Sequence, residues 1–275
     1  MSFLSDLKEE RRQRRYIRKM HRRGYYSNFG EEKLTLEYLA SLALPEKQKF
    51  AVDIAAADGI GGSNSYGLFL NGYRGLAVEA NTNLFAFMSK LYRSLPDVSL
   101  MRLFVTPENV LQVLAAADTP KEFGFLSLDI DGYDHFVLSE LLSVYAPVLI
   151  CAEFNEKLPP PLKFTIKYDP KFSCNLTHCY GQSISKLYEI TERFEYDLIG
   201  AEYNNAFLIS RRYNKWPALS AAEAYKAGYL DKADRLDKLS ANIEFEPAQQ
   251  MSPVDAIAFF QAKFVTHAGK YVLEL

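Results

Sequence analysis

Apolar residues in this chain fall into short continuous runs separated by stretches in which they recur every three or four positions, the patterns of buried strands and amphipathic helices. Residues 50–54, 75–79, 98–105, 123–129 and 148–153 are such runs, bounded by turn residues, and predict strands one to five. Between them 65–70, 81–95, 109–117 and 135–145 carry helical spacing, with Asn81 placed as an N-cap. A helix over 31–44, stopped by Pro45, precedes strand one. Short apolar strands alternating with helices predict a parallel sheet covered on both faces.

After strand five the alternation stops. Residues 155–182 hold three consecutive prolines and scattered aromatics without a period, and an ordered lid over the strand ends is expected there. A helix over 183–194 follows, then strands over 196–201 and 206–210 whose tight turn makes them an antiparallel pair at the sheet edge. The fold class is therefore α/β, a seven-stranded, mostly parallel sheet with an antiparallel edge strand, helices on both faces and helical extensions at each end. The expected divisions are an arm over 1–47, a core domain over 48–212 with the lid as an insertion, and an extension over 213–275 with helices at 221–241 and 253–264. No internal repeat is present.

Composition narrows this picture. A chain of 275 residues that is 48% hydrophobic can bury a full-sized core. With 32 Lys and Arg against 34 Asp and Glu, the net charge of -2 argues against a general nucleic-acid or membrane-surface binder. No apolar run approaches the roughly 20 residues of a membrane span, and the charged start of the chain lacks the apolar stretch of a signal peptide. Three cysteines without a CxxC pair fit a reducing, cytoplasmic compartment. The charge is uneven: residues 8–23 hold nine cations against Glu9 and Glu10. Two readings stand, a solvated helix turning Phe3, Leu4, Leu7, Ile17 and Met20 toward the body, or a docking surface for an anionic substrate, lipid-linked, phosphorylated or polysaccharide. The tail beyond Trp216 is more apolar than a solvated appendage needs, so it is expected to cover the sheet or a neighbouring subunit of a homo-oligomer.

Candidate chemistry gathers at the strand ends. Strand one runs through Asp53 into a turn of Ala55, Ala56, Ala57, Asp58 and Gly59, with Ser63 and Asn64 beyond, and strand two ends 26 residues after Asp53 on Glu79. In an open sheet of this kind a nucleoside ligand sits there, its ribose hydroxyls bonded to the second acid. The turn is neither GxGxxG nor GxxxxGK[ST] and has no lysine for a terminal phosphate, so a dinucleotide and a triphosphate lose support. Strand four ends on Asp129 with Asp131, and strand five on Glu153, within reach of one cation if the strands are neighbours. Oxygen ligands favour Mg²⁺, Ca²⁺ or Mn²⁺; alternatively Asp131 and Asp134 form an Asx turn about Gly132 and cap the next helix. His135, beside these acids, and His178, on the lid, are candidate general bases. On the lid and its flanks Lys163, Lys167 and Tyr168 can hold an anionic group, and Asn155, Tyr180, Gln182 and Asn204 can read hydroxyls.

With these residues placed, positions 48–212 resemble the class I S-adenosylmethionine-dependent methyltransferases, in particular the FkbM-type O-methyltransferases of sugars, polysaccharides and natural products. The resemblance rests on Val52 to Gly59 with Ser63 and Asn64, on Gly75 to Ala80, on Leu128 to Asp134, on Glu153, Phe154 and Asn155, and on Tyr180 to Ile184 with Asn204 to Ile209. Ala55 and Ala57 stand where the family commonly has glycine. The resemblance implies a Rossmann-like sheet, Glu79 and Ala80 at the adenosine, Asp53, Ala55 and the Asp58–Gly59 turn near the methionine end, and Asp129 near the sulfonium or a metal. The expected activity is methyl transfer to a hydroxyl of a polar or anionic small-molecule acceptor, with S-adenosylmethionine and a divalent cation such as Mg²⁺, and with no nucleic acid. Another metal-dependent enzyme on the same sheet, such as a hydrolase, and a non-catalytic binding protein using the basic arm are the alternatives.

Overall fold

Strands buried on both faces are continuous apolar runs, and five of them build the parallel part of the sheet: β1 (Phe50–Ile54), β2 (Arg74–Val78), β3 (Val98–Met101), β4 (Glu122–Leu128) and β5 (Ala146–Glu153). The computed structural model of the chain describes residues 3–172, 174 and 177–275; the side chains of Phe3, Leu4 and Leu7, expected to face the body, lie outside what it describes. A two-stranded sheet pairs β6 (Lys163–Ile166) with β9 (Tyr271–Glu274), and the main sheet closes with β7 (Tyr196–Glu202) and β8 (Asn205–Ser210). The main sheet has the order β3-β2-β1-β4-β5-β8-β7. β8 runs antiparallel to both β5 and β7, so the expected antiparallel pair is present and β7 takes the edge.

The order reverses direction between β1 and β4, the switch point outside which open α/β sheets leave a crevice. Helices α1 (Phe3–Arg23), α2 (Glu31–Leu42), α3 (Tyr66–Leu70) and α4 (Thr82–Leu91) cover one face through Met20, Leu39, Leu68, Phe69 and Met88. Helices α5 (Val110–Ala116), α6 (Asp134–Leu142) and α7 (Ile184–Phe194) cover the other through Val110, Leu114, Leu138, Leu141, Leu187 and Ile190. Asn81 caps α4 by accepting from the N–H groups of Asn83 and Leu84, and Ser183 caps α7 from Lys186.

Three expectations are corrected. Strand three ends at Met101, and the apolar residues after it leave the sheet. The lid contains β6, whose partner β9 comes from the far end of the chain. The stretch 221–241 is broken into α8 (Ala221–Tyr225), a π turn and α9 (Arg235–Lys238), followed by a 3-10 stretch with Pro247 and then α10 (Pro253–Lys263). The 3-10 stretch and α10 form a third core with the lid, in which Phe245 and Phe260 stack at 5.9 Å beside Phe164 and Phe264, whereas Ala224, Tyr225 and Tyr229 join the core beneath α5 to α7. Among the described residues no helix is long and apolar enough to cross a membrane.

Candidate active site

Beyond β1 the chain turns back on itself through left-handed backbone at Ala55 (φ 68°), Ala57 (φ 50°) and Gly59 (φ 79°). Only Gly59 is forced to lack a side chain, since a Cβ there would lie 2.7 Å from Met88 Cγ. The turn brings the Ala57 N–H to Glu79 Oε2 at 2.9 Å, while Glu79 Oε1 accepts from the Asn81 N–H at 2.5 Å. Glu79 is thereby fixed in direction, with lone pairs left over on each oxygen. Ala55, Ala57, Glu79 and Ala80 line one side of a cleft of about 710 Å³ at the switch point.

Neighbouring polar residues serve the layers beside this cleft. Asp53 is buried under the turn and accepts from the Ser65 hydroxyl. Burial pushes its carboxyl up to about 6, hydrogen bonds from Ser65 and Ser63 oppose this, and Glu79 adds to it. Ser63 Oγ accepts from the N–H groups of Ser65 and Tyr66, and Asn64 Nδ2 lies 3.6 Å from Cys151 Sγ. Asp58 accepts from the N–H groups of Ile60 and Gly61 at 2.9 and 2.7 Å and faces α1. Burial, then the charge and hydrogen bond of Asp58, push the Tyr16 hydroxyl up to about 12.

Across the cleft Asp129, Asp131 and Glu153 bring carboxylate oxygens within 4.8 Å of one another. Burial pushes Asp129 up to about 7, against a hydrogen bond with Glu153 and with the repulsion of Asp131 and Asp134. Glu153 is raised as well, by burial and then by Asp129. Glu153 Oε1 accepts from Asn204 Nδ2 at 2.9 Å, whereas Oε2 is buried without a partner. The expected Asx turn and helix cap do not form: Asp134 instead accepts from the preceding N–H groups of Ile130 and Gly132 at 2.9 and 3.0 Å, α6 has no side-chain cap, and Asp131 faces the cleft. Burial raises Asp131, and the Lys157 charge opposes it.

The remaining candidates are spread around this centre. His135 Nδ1 is 3.1 Å from Gln182 Oε1, and burial lowers its imidazole; it lies by α7. His178 Nε2 is 3.4 Å from Glu244 with its ring on Phe245, and burial, then Lys157, lower it. The fully buried Asn155 donates to the carbonyls of His178 and Tyr180, and so holds the lid to the end of β5. Gln182 is also fully buried, Lys163 pairs with Glu189 at 3.4 Å, and the Tyr168 hydroxyl donates to Glu108. Tyr180 sits beside the acids, its hydroxyl 3.2 Å from Lys157 Nζ.

Sequence reasoning passed over two groups here. Lys157 is buried and paired with Glu156 Oε1 at 2.9 Å, Asn242 Nδ2 donates to the same oxygen at 2.6 Å, and Glu156 Oε2 is buried without a partner. The nearness of Glu156 and Lys157 to Glu153 in sequence was the available signal. Leu103, Phe104, Val105 and Tyr133 form an apolar wall of the cleft. For Leu103, Phe104 and Val105 the signal was an apolar run longer than its strand.

No family model matches the chain, and no curated protein matches it. Similar solved structures include TehB from Haemophilus influenzae, 10% identical over 58% of this chain and 57% of its own, with a TM-score of 0.38. WbdD in complex with a kinase inhibitor is 17% identical over 60% of this chain and 39% of its own, with a TM-score of 0.37. Magnesium protoporphyrin IX methyltransferase from Synechocystis PCC 6803 with bound SAH is 12% identical over 65% and 82%, with a TM-score of 0.41. The matched part of this chain thus spans little more than half of TehB and less of WbdD. Likeness of this degree adds no argument to the sheet order and cleft described above.

Proposed function

We propose that the chain is an S-adenosylmethionine-dependent O-methyltransferase acting on a hydroxyl of a polar acceptor, a sugar or phosphorylated small molecule, with a divalent cation such as Mg²⁺ at Asp129, Asp131 and Glu153. The observation that carries this reading is a single cleft at the switch point with Glu79 and the Ala55–Ala57 turn on one side and Asp129 and Asp131 on the other. S-adenosylmethionine supplies the electrophilic methyl group. Glu79, aimed by two backbone N–H groups, retains lone pairs for ribose hydroxyls, and Leu103, Phe104, Val105 and Tyr133 offer apolar surface to a flat base. A cation fits the acids because three oxygens converge and Glu153 Oε2 is buried without a donor. Asn204 holds Glu153 in place, and Lys157 offsets part of the negative charge near Asp131.

In this reading most of the acceleration comes from holding the acceptor oxygen in line. Asp129 receives the hydroxyl proton, since it faces the cleft while His135 and His178 lie by α7 and the C-terminal extension. Three cysteines without a CxxC pair accord with a cytoplasmic setting. Calorimetry with S-adenosylmethionine, followed by methyl-transfer assays of Asp129→Ala and Glu153→Ala with EDTA and with added Mg²⁺, tests the proposal. The expected result is cofactor binding by all forms, with turnover only in the unmodified protein and dependent on Mg²⁺. No cofactor binding would favour the hydrolase reading, and full turnover by the variants in EDTA would remove the metal.

A further inference from the structure

A second cavity, about 1240 Å³, lies between α1 and α4, larger than the cleft and of a different character. One wall is the cationic face of α1, and the other is Asn83, Leu84 and Phe87. Arg11, Arg15, Arg18 and Arg22 fall at intervals of three and four residues and so form a single row along the helix. Lys19 lies beside the row. Among the described residues none of these five has a carboxylate within ion-pair distance, whereas Arg14 pairs with Glu10. Like charges stacked at this spacing repel one another, and a bound anion relieves that repulsion.

The shape of the charge identifies the anion. The row extends about 17 Å at the helical rise, and its cations do not converge on one point, as they would around a single phosphate. An extended ligand carrying repeated charges fits it. Single-stranded nucleic acid would need open aromatic faces for its bases. The aromatic rings here are otherwise engaged: Tyr16 packs on Phe87 at 6.0 Å, and its hydroxyl is bonded to Asp58. The groove also adjoins the cofactor cleft, since Leu84 lines both and the adjacent residues Ala57 and Asp58 face one each.

We propose that this groove binds a phosphodiester-linked saccharide or polyol chain and tethers it beside the cleft; the role of that chain as acceptor rests on the methyl-transfer reading above, whereas its binding does not. The test is fluorescence anisotropy of the full chain with a labelled poly(glycerol phosphate) oligomer and with an oligothymidylate of equal length, at low and high salt. Three proteins are compared: the unmodified chain, Arg15→Glu with Arg18→Glu, and a control of equal charge change elsewhere, Lys33→Glu with Lys47→Glu. All four positions are exposed, and circular dichroism checks the fold. The glycerol phosphate oligomer is expected to bind the unmodified and control proteins alike, more weakly as salt rises, and the α1 variant at least about tenfold more weakly. Absence of binding, an equal loss in the control, or tighter binding of oligothymidylate would overturn the proposal. Calorimetry with S-adenosylmethionine on the same samples separates the two readings: cofactor binding without polyanion binding sinks the groove alone, and the reverse sinks methyl transfer alone.

Discussion

Alanine at position 55 holds a φ of 68°, where a Cβ crowds the following carbonyl and costs about 1–2 kcal/mol. Glycine would remove that strain, while loosening the unfolded chain takes back about 0.4–1 kcal/mol. Ala55→Gly is therefore expected to raise the unfolding free energy by up to about 1 kcal/mol in urea titrations, and a loss would mean that the alanine methyl packs better than it strains. Asp53 works in the opposite sense. Its folded carboxyl titrates at about 6 against an ordinary 3.8, so between those values the folded protein keeps a proton that the unfolded chain has released. Its contribution to stability is fully present below about pH 4 and is lost as pH rises through about 6. Asp53→Asn cannot ionise. The stability of this variant relative to the unmodified protein should accordingly climb from pH 4 to pH 8 by up to about 3 kcal/mol, and a difference independent of pH would show that Asp53 titrates normally.

Among the elements, the third core is the one most open to disturbance, because its parts come from the lid and from the end of the chain. Phe260 is fully buried there against Phe245 and Phe264. Phe260→Ala should cost this unit about 3–5 kcal/mol, seen as faster hydrogen exchange over β6 and β9 while β1 to β5 stay protected. Equal loss across the main sheet would mean that the two units unfold together. The same region was the least legible in the sequence. β1, β4 and β5 could be read because strands buried on both faces are apolar runs with turn residues at each end. β6 and β9 are four residues each, and their pairing joins positions more than a hundred residues apart, for which no local signal exists. Residues 103–105 continue the apolar run of β3, yet they wall the cleft outside the sheet. The acids at the ends of β2, β4 and β5 were legible as a group because the strand order follows from the alternation. Whether a polar side chain near a strand end faces the cleft, as Asp129 does, or supports the turn from beneath, as Asp53 does, depends on packing that the pattern does not carry.

Across the whole molecule the charge balance is nearly even, so the concentration of acid at the switch point is local. Asp129, Asp131 and Glu153 sit together, and the Lys157 charge that acts on Asp131 is itself engaged by Glu156. Such a cluster is either partly protonated or filled by a cation, and the two states differ in stability. A ligand that binds only the folded chain stabilises it in proportion to the logarithm of its concentration over Kd, about 2.7 kcal/mol at a hundredfold excess. For a domain of this size that corresponds to a rise of roughly 5–10 °C in Tm. Saturating Mg²⁺ is expected to produce such a rise in thermal scans, EDTA to reverse it, and Glu153→Gln, which keeps the shape and the Asn204 contact but removes the ligand charge at that position, to remove most of it. Protons compete for the same oxygens, so the rise should be smaller in acid. An equal rise in Glu153→Gln would place the ion elsewhere on the molecule, and no rise in either protein would leave the acids to share their protons without a metal.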